Sequence, residues 1–311
     1  MIDAAPLHVD LADGPTGGRA FWLRAADGIR LRAAHWPGGD KGTVLLFPGR
    51  TEYVEKYGRA ANDLAMRGYG TLTIDWRGQG LSDRALGDPM TGHVDDFAEF
   101  QHDVDALTAL ANALDLPHPW YLISHSMGGC IALRSLTRGL PVRAAAFSAP
   151  MWGLMMAAAI RPFASLVAGA ARLIGQAHRY APGTTDKTYV AEAAYAGNVL
   201  TTDADMFAWM KMQITTHPEL SLGGPSLAWV HAALAECAAL SLLPAPPIPA
   251  ICALGTAEKV VDSGPVHLRM AGWPGGRLDL YPGAEHEVIM ETPDHRKRFF
   301  DTVTTLFDTH R

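Results

Sequence analysis

Leu122-Ile123-Ser124-His125-Ser126-Met127-Gly128-Gly129 is the stretch whose reading decides the fold. The apolar run Trp120-Tyr121-Leu122-Ile123 before it reads as a buried strand. Ile131-Ala132-Leu133-Arg134-Ser135-Leu136 after it reads as a helix packed on that strand. A serine set between small residues at such a turn is a nucleophile elbow: the turn is tight and strains the backbone at the serine. The residues two positions away on either side must be small, or their side chains collide. Here they are Ser124 and Gly128. The usual pattern has glycine in both places, so Ser124 is a departure, yet serine is compact enough for the turn to close.

Strand and helix signals alternate on both sides of the elbow. After a loose lead-in over residues 1–18, Phe21-Trp22-Leu23-Arg24 and Ile29-Arg30-Leu31-Arg32 flank Ala26-Asp27-Gly28, a hairpin signal. Residues 43–47 read as a buried strand ending at Pro48-Gly49-Arg50, followed by a helix over 54–67 with Gly68 as its stop. Residues 70–75 are the next strand, running into Trp76-Arg77-Gly78-Gln79-Gly80-Leu81-Ser82-Asp83. Phe97, Phe100, Val104, Leu107, Ala111 and Leu114 recur at three and four, which marks one face of a long amphipathic helix. A strand at 144–148 follows the elbow helix. Later come strands at 250–254 and 277–281 and a closing helix over 294–307. This rhythm predicts a mostly parallel sheet covered on both faces.

The rhythm breaks at Pro150. Residues 151–243 hold no convincing strand and read as a helical insertion, so the body is 1–150 with 244–311. The stretch 154–174 is strongly apolar, but Arg161-Pro162 and Arg172 interrupt it. That argues against a membrane span and for an amphipathic helical lid or a helix buried against the body. Met206, Trp209 and Met212 sit at helical spacing, which core packing explains as readily as a lipid groove does. Leu242-Leu243-Pro244-Ala245-Pro246-Pro247-Ile248-Pro249 closes the insertion as a stiff linker.

A serine hydroxyl is a weak nucleophile at neutral pH. It needs a histidine in contact and a carboxylate to orient that imidazole. In chains with this elbow the order is serine, acid, histidine. Of 13 histidines, His286 alone lies in a loop directly after a late strand. His295 and His310 lie within or at the end of the closing helix and read as surface residues. His125 should leave the elbow on the opposite side and reads as a packed structural residue. Two carboxylates follow the strand at 250–254: Glu258 at the first loop turn is the first choice for the acid, and Asp262, four residues on, is the alternative acid or else the cap of the next helix. The transition state of acyl transfer places negative charge on the former carbonyl oxygen, which needs two backbone N–H donors. Met127, directly after the serine, should supply one. Arg50 should supply the other, because Pro48 has no N–H. Gly78-Gln79-Gly80 lacks the third glycine of a dinucleotide fingerprint and the lysine of a P-loop, and reads as a loop of tight turns.

The totals bound the partners. The chain has 311 residues, 48% of them hydrophobic, enough for a substantial core with an insertion. A net charge of −6 without a basic run argues against nucleic acid. Cys130, Cys237 and Cys252 are odd in number and form no C-x-x-C pair, which fits a reducing, cytoplasmic setting and gives no metal framework. The N-terminal residues lack a basic segment followed by an apolar one, so no signal peptide is expected.

Phe47-Pro48-Gly49-Arg50-Thr51-Glu52, Asp75-Trp76-Arg77-Gly78-Gln79-Gly80-Leu81-Ser82 and His125-Ser126-Met127-Gly128-Gly129 together resemble the bacterial lysophospholipase and monoacylglycerol lipase family. His217-Pro218-Glu219-Leu220, Gly223-Gly224-Pro225 and Trp229-Val230 resemble its lysophospholipase branch. Glu258-Lys259-Val260-Val261-Asp262 and Gly283-Ala284-Glu285-His286 extend the likeness over about residues 20–308. The resemblance implies an α/β-hydrolase fold with a helical lid over an acyl pocket. It implies hydrolysis of an ester bearing one acyl chain, with no cofactor and no metal, and it favours Glu258 as the acid. An esterase for small esters, an acyltransferase and a non-catalytic binding protein are the rival readings. Contact of the lid with the inner face of a membrane is a further expectation; head group and oligomeric state are not readable.

Overall fold

The computed structural model describes residues 3–155 and 169–311 of the chain. Nine strands form one sheet in the order β1-β2-β3-β5-β4-β6-β7-β8-β9. β1 (Asp3–Ala5), β2 (Arg19–Arg24) and β3 (Arg30–Trp36) are antiparallel, and β3 pairs antiparallel with β5 (Gly70–Asp75). From β5 onward, through β4 (Thr43–Phe47), β6 (Trp120–His125), β7 (Ala145–Ser148), β8 (Ala250–Gly255) and β9 (Gly276–Tyr281), every pairing is parallel.

The inner parallel strands are buried along their whole length, so their side chains serve two cores by alternation. Leu45, Phe47, Leu122, Phe147 and Cys252 face α2 (Phe100–Ala113) and α3 (Met127–Thr137). Val44, Leu46, Tyr121, Ile123 and Ala146 face α1 (Gly58–Ala65) and the C-terminal helix, Pro293–Asp308. The expected helix over 54–67 is split. Val54–Tyr57 is a 3-10 turn in which the side chains of Glu55 and Lys56 are held by buried ion pairs to Arg32, Glu52 and Glu287.

Between β7 and β8 the described residues form no strand of the sheet. Two long helices there, α4 (Ala204–Thr216) and α5 (Leu227–Ser241), dock on the body. Trp229, Ala233 and Cys237 of α5 join the core of α2 and α3, and Met206, Trp209 and Met210 of α4 join the opposite core. Met206 and Trp209 are therefore packing residues, while Met212 is 39% exposed on the outer face of α4. Met156, Ile160, Phe163, Leu166 and Val167, the centre of the apolar stretch, lie outside the described residues. Among the described residues no helix is long and apolar enough to cross a membrane.

Candidate active site

β6 delivers Ser126 to the carboxyl edge of the sheet, and α3 starts on the next residue. The backbone at Ser126 is forced to φ 49°, ψ −119°, a region that L-residues enter only under constraint. Its N–H is held by Ser148 O at 3.0 Å, and its own carbonyl accepts from Gly129 and Met151, each at 2.8 Å. A Cβ at Gly128 would lie 2.2 Å from Phe47 O, so any side chain there would collide with β4. On the other flank Ser124 is buried, and its hydroxyl finds no partner among the described residues.

His286 follows β9. Its Nε2 lies 2.9 Å from Ser126 Oγ and its Nδ1 lies 2.7 Å from Glu258 Oε2. The two loops meet because β8 ends in a glycine: a Cβ at Gly255 would sit 2.3 Å from the carbonyls of Ala284 and Glu285. The second oxygen of Glu258 accepts the N–H groups of Val260 at 2.5 Å and Val261 at 3.0 Å. Burial pushes this carboxyl up, but the His286 contact and the two amides outweigh it and hold it below the usual carboxylate range. Asp262 lies elsewhere: it caps the helix Ser263–Ala271, accepting from Gly264 N at 3.0 Å.

His125 departs from expectation. It is buried, but not on the far side of the turn: its ring centroid is 4.8 Å from that of His286. Nδ1 faces Ser148 O at 3.1 Å, and Nε2 lies 3.8 Å from Glu52. The strand end is narrow, and β7 and the Glu52 loop hold the ring beside His286. Burial pulls His125 down to about 3, so it is neutral at physiological pH.

The loop after β4 carries Arg50, and α3 opens with Met127. Neither backbone N–H has a protein acceptor among the described residues. The loop is fixed around Arg50 by a residue that the sequence reading passed over. Gln79 Oε1 accepts the N–H of Thr51 at 2.9 Å, and its Nε2 donates to Gly49 O at 3.0 Å. Thr51 stands at φ 64°, a conformation that needs such a hold. Trp76 Nε1 adds a bond to Pro48 O at 2.9 Å. The N–H of Gly49 and the hydroxyl of Tyr57 both donate to Glu52, whose carboxylate also meets Lys56 Nζ at 2.7 Å. Lys56 reaches on to Glu287 at 2.8 Å, so a buried carboxylate–ammonium–carboxylate chain backs the loop.

Ser126, His286, Arg50 and Trp229 open on one cavity of about 540 Å³, with Leu154, Met210, Ile214 and Val261 among its apolar walls. Among the described residues, two groupings have donor atoms close enough for a metal ion: His8, His217 and Glu219 near the surface, and Glu52, His125 and Glu287 inside. In the second, the Lys56 ammonium already bridges both carboxylates.

Residues 38–293 match the family described as serine aminopeptidase, S33. The chain is 33% identical to lysophospholipase L2 of Escherichia coli K12, over 91% of this chain and 84% of that protein. It is 30% identical to a probable lysophospholipase L2 of Haemophilus influenzae, over 84% and 82%. In fold it is similar to a soluble variant of monoglyceride lipase from Saccharomyces cerevisiae, with a TM-score of 0.72 at 22% identity, covering 93% and 94% of the two chains. The chain thus belongs to the serine aminopeptidase S33 family of α/β-hydrolases, in its bacterial lysophospholipase and monoacylglycerol lipase group.

Proposed function

We propose that the protein hydrolyses the ester of a single-acyl-chain lipid, a lysophospholipid or monoacylglycerol, through an acyl-serine intermediate. Ser126 attacks the ester carbonyl, and His286 takes the serine proton and returns it to the leaving alcohol. Glu258 orients His286 and stabilises its charged form, and the N–H groups of Arg50 and Met127 face the oxyanion. Residues 151–243 act as a helical lid over the acyl chain. The observation that carries this reading is the Glu258–His286–Ser126 relay, at 2.7 and 2.9 Å, opening on an apolar-walled cavity. A volume of about 540 Å³ lies within the range for small-ligand pockets. The family relatives named lysophospholipase support the same substrate class. Leu173 and Ile174, 90% and 71% exposed at the end of the apolar stretch, support contact with a lipid surface, which vesicle flotation would register.

The deciding experiment is turnover of a series: short nitrophenyl esters, a monoacylglycerol and a lysophosphatidylcholine. Lipid esters should be preferred by kcat/KM. Activity confined to the short esters would sink the lipid reading and leave an esterase; a new ester formed in the presence of an added alcohol would identify an acyltransferase.

The clamp by Gln79 gives a second expected result. Gln79→Ala frees both flanks of the Arg50 peptide, so one oxyanion donor loses its aim. Losing such a donor costs about 10²–10³ in turnover, and loss of its support alone should cost about 10–100-fold in kcat with KM within a few fold. An unchanged kcat, measured with folding checked by thermal melt, would remove Gln79 from this role.

A further inference from the structure

Among the described residues the buried cations are matched by carboxylates. Arg32 meets Glu55 and Asp75, Lys56 meets Glu52 and Glu287, and Arg77 meets Asp103. Half-buried Arg84 pairs with no carboxylate among the described residues but spends its donors on the carbonyls of Gly78, Gly80, Pro89, Glu219 and Ser221. Arg50 has neither solution. Among the described residues no carboxylate pairs with it, its Nε is buried without an acceptor, and Nη2 donates to Gly223 O at 2.6 Å. The guanidinium lies 5.3 Å from the centre of the Trp229 ring, on the wall of the cavity that holds Ser126 and His286. Arg50 is half-buried, and a guanidinium whose Nε is shut off from water without an acceptor is costly unless an anion completes it.

We propose that the Arg50 side chain binds the phosphodiester of a lysophospholipid head group while its own backbone N–H faces the ester carbonyl. This deepens the proposed ester hydrolysis and rests on it. The span fits. About six bonds separate the backbone nitrogen of arginine from its guanidinium carbon, and about six separate the ester carbonyl carbon of a lysophospholipid from its phosphorus, both about 7 Å extended. Planar, forked donors suit phosphate oxygens. A neutral monoacylglycerol ends in hydroxyls and leaves the guanidinium without its anion. Burial, with no carboxylate to offset it, pulls the Arg50 guanidinium down to about 10, as expected of a cation awaiting a partner. The neighbouring loop makes room for it: a Cβ on Gly92 would fall 2.3 Å from Nη2.

The test compares kcat/KM for lysophosphatidylcholine and for a monoacylglycerol of the same acyl chain, in wild type, Arg50→Gln and Gly92→Ala. Arg50→Gln removes the charge and keeps the backbone N–H. Gly92→Ala keeps the charge and pushes the guanidinium aside. Both variants are expected to lose activity on both substrates, but unequally: the ratio of lysophospholipid to monoacylglycerol turnover should fall at least tenfold in Arg50→Gln and several-fold in Gly92→Ala. Equal losses on the two substrates would overturn the head-group role and leave the hydrolase reading intact. Wild type that turns over monoacylglycerol alone would overturn it too. Wild type inert on every ester would instead sink the reading beneath it. A measurement on wild type needs no variant to fold: sn-glycero-3-phosphocholine should inhibit monoacylglycerol hydrolysis where glycerol at the same concentration does not. Equal effects of the two compounds would overturn the proposal.

Discussion

Ser126→Ala is expected to lower kcat on every hydrolysed ester by at least about 10⁴-fold, equivalent to about 5.5 kcal/mol of transition-state stabilisation. The substitution deletes the Oγ that lies 2.9 Å from His286 Nε2, and with it the covalent route. Little else changes. Ser126 precedes α3 but makes no capping bond through its side chain, so no helix stability is lost with the hydroxyl. The backbone strain at φ 49° is the same for alanine as for serine. Variant and wild type should therefore melt together, and KM should move little. Residual turnover of about 10³–10⁴ over water is the normal remnant of an oxyanion hole and substrate positioning. A fluorophosphonate probe supplies the independent reading: it should label wild type at one site and leave Ser126→Ala unlabelled. A variant still labelled, or still turning over lipid at more than about a hundredth of the wild-type rate, would mean another nucleophile.

The parts of the site legible in sequence are those set by local chain geometry. The elbow is written in Ser126 and Gly128 because a Cβ at Gly128 would strike Phe47 O. β4, β6 and β8 were legible because each is buried along its length and carries an apolar run. His286 was legible because it lies just past a strand end. What could not be read depends on side chains that meet across the fold. Gln79 looks like a turn residue, and its contacts to Gly49 and Thr51 exist only once the loops after β4 and β5 lie together. His125 is adjacent to the serine in sequence, but its neighbours Glu52, Ser148 and His286 come from β7 and two loops far away in the chain. The Glu52–Lys56–Glu287 chain joins residues 231 positions apart. Along α4, spacing alone could not choose the phase: Met206 and Met210 turn inward, whereas Met212 points out. One signal was available and passed over, the i,i+4 pair of Glu52 and Lys56 beside a predicted catalytic loop.

Glu258→Gln is expected to lower kcat/KM by about 10³–10⁴-fold, while Asp262→Asn stays within a few fold of wild type. The hydrogen bonds around Glu258 dictate the first result. One carboxylate oxygen accepts the N–H groups of Val260 and Val261, and the other faces His286 Nδ1. Glutamine has one acceptor for these two places. Two fixed amide donors claim the carbonyl oxygen, so the NH₂ group turns toward His286. An NH₂ facing Nδ1 demands an acceptor there, which moves the imidazole proton to Nε2. That nitrogen then points a proton at Ser126 Oγ instead of a lone pair, and it cannot take the serine proton. The charge is lost as well: the wild-type carboxyl is held below its usual range, and the amide offers nothing to the imidazolium. Asp262 sits outside this circuit as the cap of the helix Ser263–Ala271, a place where asparagine serves about equally. Measuring kcat/KM on the preferred lipid ester, with melting temperatures for both variants, separates the two carboxylates. A deep loss in Asp262→Asn with Glu258→Gln near wild type would transfer the orienting role to Asp262, and a similar loss in both would show that the loop from 255 to 262 acts as one unit.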